Sequence, residues 1–166
     1  MRRTWSPRGQ TPVLYQVGRH RQKVSAIAAL CVAPERTHVR LYFRLLPNAN
    51  VNGPLLIAFL RQLRRHLRDA MVLVWDRLNS HIGTQMRAFV ARTPTLTPFL
   101  FPPYAPELDP VEYVWSYLKG SALANHASPD VTTLVATARR QGRAMQHRPY
   151  LLHSFIRHSP LPLRLV

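Results

Sequence analysis

The chain has 166 residues, 46% of them apolar, which suits one domain with a buried core and excludes a chain disordered by composition. Lys and Arg number 23 against 7 Asp and Glu, a net charge of +16 at pH 7, and such a field attracts polyanions, nucleic acid above all. The only cysteine, Cys31, excludes an intrachain disulfide and a cysteine-based zinc site, and no apolar run approaches the length of a membrane span.

A reducing cytoplasm is therefore the expected compartment, with no membrane partner. The opening MRRTWSPRGQ has arginines but no apolar stretch behind them, so it is not a signal peptide. Arg supplies 21 of the 23 cations, a choice that suits bidentate phosphate contact. Codon bias in a GC-rich genome explains the Arg excess equally well.

Residues 2–23 are basic and turn-rich and read as an irregular or edge-strand entry. KVSAIAALCV (23–32) and THVRLYFRLL (37–46) are strand-like runs flanking the turn APER, a pattern that predicts an antiparallel hairpin. After the break PNANVNGP, Asn52 offers an N-cap for a helix. Leu56, Phe59, Leu60, Leu63 and Leu67 share one face of that helix, and Arg61, Arg64, Arg65 and Arg68 share the other. The basic stripe reads as a solvated face or as a DNA contact.

MVLVWD (71–76) is a short continuous apolar strand suited to burial on both faces. RLNSHIG is expected to be a loop, 84–92 a short helix, and TLTPFLFP (95–102) another strand. A helix follows Pro110, with Val111, Val114, Trp115 and Leu118 toward the core. Another spans 130–147, burying Val131, Leu134, Val135, Ala138 and Met145. Residues 129–158 thus make a C-terminal helical part, whose tail from 149 is short, basic and weakly specified. The order of elements predicts one α/β domain with a mixed sheet.

Two carboxylates stand out. Asp76 closes an apolar strand, and ligands of open α/β sheets bind beyond strand C-termini, although an Asp there also serves as a turn or cap residue. Glu112 lies three residues past Asp109, with Pro110 between, so Asp109–Glu112 reads as a capping box. A carboxylate held at a helix N-terminus is also a ready ligand for a hard cation. Asp76 and Glu112 are separated by 35 residues containing a strand, which can bring both to one sheet edge. Two-metal phosphoryl-transfer sites use carboxylates of this kind.

The stretches VLVWDRLNSHIG and FLFPPYAPELDPVEYVWSYLK resemble the DDE transposases of the mariner superfamily, most nearly the bacterial insertion-sequence branch. The chain keeps that family's Pro102, Pro103, Tyr104, Pro106, Glu107, Leu108, Pro110, Glu112, Trp115, Leu118 and Lys119. It carries Ala105 where the family usually has Ser, and Asp109 where Asn is usual; RRTWSPRGQTP (2–12) also resembles the segment after the family's first sheet strand.

The resemblance implies a ribonuclease H-like fold, a mixed sheet flanked by helices, as a single domain over 1–166 with its motif-bearing core at about 23–120. It implies that Asp76 and Glu112 are the second and third acids of a catalytic, metal-holding triad, with Asn79, His81 and Trp115 in support and Glu107 and Asp109 structural. Mg²⁺ or Mn²⁺ would be the cofactor, transposon-end and target DNA the partners, and Arg61, Arg64, Arg65, Arg68 and Lys119 the DNA contacts. The first acid of the triad lies upstream of the RTWSPRG segment in that family. The expectation is hence an N-terminally truncated transposase lacking the first central strand. It would bind metal weakly and cut and join DNA strands only once the missing strand is added, with an upstream portion or another copy of the chain as its protein partner; alternatively it is an inactive DNA-binding remnant.

Overall fold

A computed structural model describes residues 8–9, 23–124 and 128–165; most of the basic entry segment, including the stretch that resembles the family at 2–12, lies outside them. The predicted hairpin forms from β1 (Val24–Val32) and β2 (Val39–Pro47), antiparallel in a register from Val24 opposite Pro47 to Val32 opposite Val39. Alternation along both strands sends side chains to two faces. Ile27, Ala29, Cys31, Tyr42 and Leu46 line one face, and Ala28, Leu30, Val32, Val39, Leu41 and Phe43 line the other. Burial pushes the Cys31 thiol up to about 11, against a smaller opposing pull from Arg40, so the sulfur stays protonated and packs as an apolar group.

α1 (Gly53–His66) begins where predicted: Asn52 Oδ1 accepts the Leu55 amide at 3.0 Å, and Leu56, Phe59, Leu60 and Leu63 are buried. They pack on the first face of the hairpin together with Trp75 and Met86. β3 (Met71–Trp75) runs parallel to β4 (Leu96–Leu100), joined by α2 (Asn79–Ile82) and α3 (Thr84–Ala91). The expected loop at RLNSHIG is thus partly helical: Leu78 O accepts from the His81 and Ile82 amides, closing a single turn.

Burial on both faces of β3 is overturned. Leu73 and Trp75 pack into the core, but Val72 is 67% and Val74 45% exposed, and Phe99 opposite Val74 is 56% exposed. Among the described residues no ladder joins β1–β2 to β3–β4, so the mixed sheet is present as two separate pairs.

A 3₁₀ turn at Pro106–Leu108 leads into α4 (Pro110–Tyr117), which continues as a π-helical turn at Leu118–Ala122. α5 (Val131–Gln146) is capped by Asp130 and packs on β2 and β1. Gly142 is the closest approach: a Cβ there would lie 2.4 Å from Phe43 Cζ. Gln146 donates to the Leu41 carbonyl at 2.8 Å.

The tail after 149 is not weakly specified. It forms α6 (Pro149–His158), with Leu152, Phe155 and Ile156 buried beside Val114 and Leu118 of the α4 segment. Tyr113 of α4 donates its hydroxyl to His158 O at 3.0 Å, and Arg148 donates to the Tyr117 hydroxyl at 3.1 Å. α6 therefore braces the helix that carries Glu112. Among the described residues, no helix is long and apolar enough to cross a membrane.

Candidate active site

Parallel pairing puts the C-terminal ends of β3 and β4 at the same sheet edge. Asp76 follows β3 directly. Its backbone neighbour Trp75 accepts the Phe101 amide at 2.8 Å, and Arg77 Nε donates to Phe101 O at 3.2 Å. The exit of β4 is thereby fastened beside Asp76, and the proline-rich loop starts from that fixed point.

Asp76 is anchored through one oxygen. Oδ1 accepts the Leu78 amide at 3.0 Å and His81 Nδ1 at 2.5 Å. His81 in turn stacks on Trp75, with ring centroids 4.8 Å apart and planes 6° from parallel. Trp75 is buried against α1 and α3 residues, so the carboxylate is tied through the imidazole to the core. Among the described residues Oδ2 accepts no hydrogen bond, and the side chain of Asp76 is 48% exposed.

The entrance of α4 forms as the sequence predicts in its first half only. Asp109 Oδ1 accepts the Val111 amide at 2.9 Å, the expected N-cap. The reciprocal arm of a capping box is missing, because the Asp109 amide already donates to Pro106 O at 3.0 Å. Glu112 is left exposed, and no described residue donates to its carboxylate. The capping alternative for Glu112 is thus set aside.

Asp109 has the structural role expected of it, as the cap of α4. Burial first, then the Glu112 and Asp76 carboxylates, push its carboxyl above the usual range, while the Val111 amide and His81 draw it back. Asp109 thus lies within electrostatic reach of both sequence-predicted acids and of His81. The sequence signal was the Asp at a position where Asn serves as well for capping.

The remaining predicted residues are dispersed. Asn79 heads α2 with its side chain exposed and unbonded among the described residues, and Trp115 is half-buried in the cluster beneath α4. Arg64 donates to Thr95 Oγ1 at 2.9 Å and Arg61 lies 5.7 Å from the Phe89 ring centroid, so both hold α1 to the α3–β4 region. Arg65, Arg68 and Lys119 are exposed. Among the described residues the only acid–base ion-pair contact is His81–Asp76, which leaves the arginine charge unneutralised by the fold.

Free carboxylate oxygens of Asp76 and Glu112 are hard donors, of the type that Mg²⁺ or Mn²⁺ takes. No group of three or more metal-ligating side chains occurs among the described residues.

The fold thus presents an α/β domain with two free acids and a third half-buried beside them, at the C-terminal edge of parallel strands. A sequence profile described as DDE superfamily endonuclease matches residues 1–135, and the chain belongs to that family. No curated protein sequence matches it. Several solved structures resemble it, among them three of Mos1 transposase. The Mos1 transposase catalytic domain with raltegravir and Mg is 18% identical with a TM-score of 0.57, over 81% of this chain and 78% of that one. The Mos1 mariner paired-end complex with Mn is 19% identical with a TM-score of 0.60, over 95% and 46%. The Mos1 paired-end complex with the left transposon end is 20% identical with a TM-score of 0.65, over 96% and 47%. The fold is accordingly ribonuclease H-like, and the chain spans just under half the length of the transposase in the paired-end complexes.

Proposed function

We propose that this chain is the catalytic-domain portion of a transposase of an insertion sequence, of the bacterial branch, acting on DNA in the cytoplasm. The observation that carries the reading is the shared edge: Asp76 and Glu112 each keep carboxylate oxygen free, and Asp109 feels both. Asp76 and Glu112 would hold Mg²⁺ or Mn²⁺. Such cations, when bound, generate a hydroxide-like nucleophile and stabilise charge developing on a phosphate. The chain itself supplies direction. His81 and the Leu78 amide fix Asp76, the Asp109 cap and α6 fix the helix bearing Glu112, and Arg65, Arg68 and Lys119, with Arg61 and Arg64 beside them, draw the DNA backbone.

Two acids are one short of a triad. The third would come from a strand paired between β1 and β3, each of which pairs on one side only among the described residues. That strand would be supplied by an upstream portion. The test is strand cleavage of a transposon-end duplex in Mn²⁺, with this chain and with an N-terminally extended one. Cleavage by the extended chain should disappear in Asp76→Asn and in Glu112→Gln while DNA binding persists. Cleavage that survives loss of either acid would overturn the assignment.

A second reading, a DNA-binding remnant without cleavage, is favoured by the lack of any three-ligand group among the described residues. An extended chain that binds DNA but never cuts it would select this reading.

A further inference from the structure

Tyr104 is anomalous twice. Its side chain is fully exposed, at 101%, more than any other exposed large apolar residue described. Its backbone has φ 59°, the left-handed region where a bulky residue is an outlier. The other two non-glycine residues with positive φ are Asn48, which tolerates it, and Arg36 in the β1–β2 hairpin turn; neither is aromatic.

The conformation is imposed by its surroundings. Pro102 and Pro103 leave the anchored Phe101, and Pro106 opens the 3₁₀ turn whose Leu108 amide donates to Ala105 O at 3.1 Å. Proline followed by a residue of positive φ is the pattern of a turn in which Gly or Asn is the favoured occupant. A tyrosine there gains no packing, since its ring is bare, and it destabilises the backbone. Its ring nonetheless projects outward, in the loop that ends at the Asp109 cap and the Glu112 helix.

From this geometry we infer that Tyr104 is a stacking platform for an unpaired base of DNA at the mouth of the acid site. The inference rests on the DNA-acting reading above. A π-face serves any base, which makes such a contact sequence-tolerant. The net charge of +16 selects a polyanion, and two exposed apolar side chains, Leu78 just after Asp76 and Leu100 at the end of β4, extend the apolar surface at the same edge. A frayed or newly cut strand end next to the acids would present the free base face that the ring can stack on.

The experiment uses the 166-residue chain with two probes, a blunt duplex and the same duplex ending in three unpaired nucleotides, one of them 2-aminopurine. Wild type should favour the frayed probe and quench its 2-aminopurine. Tyr104→Ala should lose about 5- to 150-fold in affinity for the frayed probe, the range for one stacked base, and lose the quench. Its affinity for the blunt duplex and its melting temperature should not fall. Tyr104→Trp should retain both the preference and the quench. A Tyr104→Ala chain that binds and quenches like wild type would sink the inference while leaving the DNA reading intact. Equal losses on both probes, or loss of a concentration-dependent dimer in sedimentation, would assign the ring to folding or self-association and overturn it. Failure of wild type to bind either probe would overturn the DNA reading and the inference together.

Discussion

His81→Ala separates a held carboxylate from a merely nearby one. The substitution removes the 2.5 Å contact to Asp76 Oδ1 and the 4.8 Å stack on Trp75. A hydrogen bond to a charged group contributes about 1.5–3 kcal/mol, and the half-exposed position of Asp76 puts this one near the lower end. The stack adds about 0.5–1.5 kcal/mol. A loss of about 2 kcal/mol is expected, which in a domain of this size lowers Tm by about 4–8 °C. The functional effect is separate. With Oδ1 held only by the Leu78 amide, Asp76 can turn, and Mn²⁺ affinity should drop by about 10-fold or more, as for other outer-shell partners of a metal ligand. His81→Asn places an amide donor near the position of Nδ1 without the stack. It should recover much of the Mn²⁺ affinity and only part of Tm. The assay is a thermal melt beside a Mn²⁺ titration followed by electron paramagnetic resonance. A His81→Ala chain that melts with wild type and binds Mn²⁺ equally well would refute the reasoning.

Gly142→Ala should destabilise by up to about 2 kcal/mol, because overpacking against Phe43 at about 1–3 kcal/mol outweighs the gain of about 1 kcal/mol in helix propensity; chemical denaturation checks it, and an unchanged or higher midpoint would mean α5 moves away freely. Trp115→Ala should lower stability by about 2 kcal/mol, below the roughly 3–5 kcal/mol of a fully buried tryptophan, since the ring is half-buried; a loss at the full value in the same denaturation assay would contradict that exposure. Tyr104→Gly should raise stability by about 1 kcal/mol by relieving the positive φ, and a lower Tm would show that the tyrosine packs. The Thr133 amide, with help from its hydroxyl, holds the Asp130 carboxyl below its ordinary range. The cap's stabilisation is therefore complete above the ordinary carboxylate pKa and vanishes as pH falls through the folded value, so Asp130→Ala should lower Tm at neutral pH and hardly at all in strong acid; equal losses at both would disprove the linkage.

What the sequence made legible follows from how local the signal is. The hairpin, the apolar stripe of α1 and the caps at Asn52 and Asp109 rest on side chains acting within a few residues, and all three formed. The single turn of α2 was hidden because four residues are too few for a period to show. In α6, Leu151, Leu152, Phe155 and Ile156 share a face, but a ten-residue helix shows that period only briefly and its packing partners in α4 lie far away in sequence. The bare face of β3 could not be read at all. An apolar strand announces that it can be buried, and what covers it depends on distant chain. The candidate site divides in the same way: strand-end and helix-start positions single out Asp76 and Glu112 as candidates, whereas the link from Asp76 through His81 to Trp75 and the exposure and φ of Tyr104 belong to the three-dimensional structure.

Asp109 and Asp130 show why the acids gather at the α4 entrance. Both are N-cap aspartates, each accepting a backbone amide in the first turn of its helix. Their carboxyls move in opposite directions. Asp130, out in solvent with Thr133, is held below the ordinary range, and its ionised form stabilises the fold. Asp109, half-buried beside Glu112 and Asp76, is pushed above it, so its ionisation works against the fold as pH rises. Asparagine would cap α4 as well and avoid that cost. An aspartate kept there adds negative potential at the one edge where two free carboxylates sit, within a chain carrying +16. Within such a field, an ionised Asp109 would add to the negative potential at that edge even while one of its oxygens serves the helix.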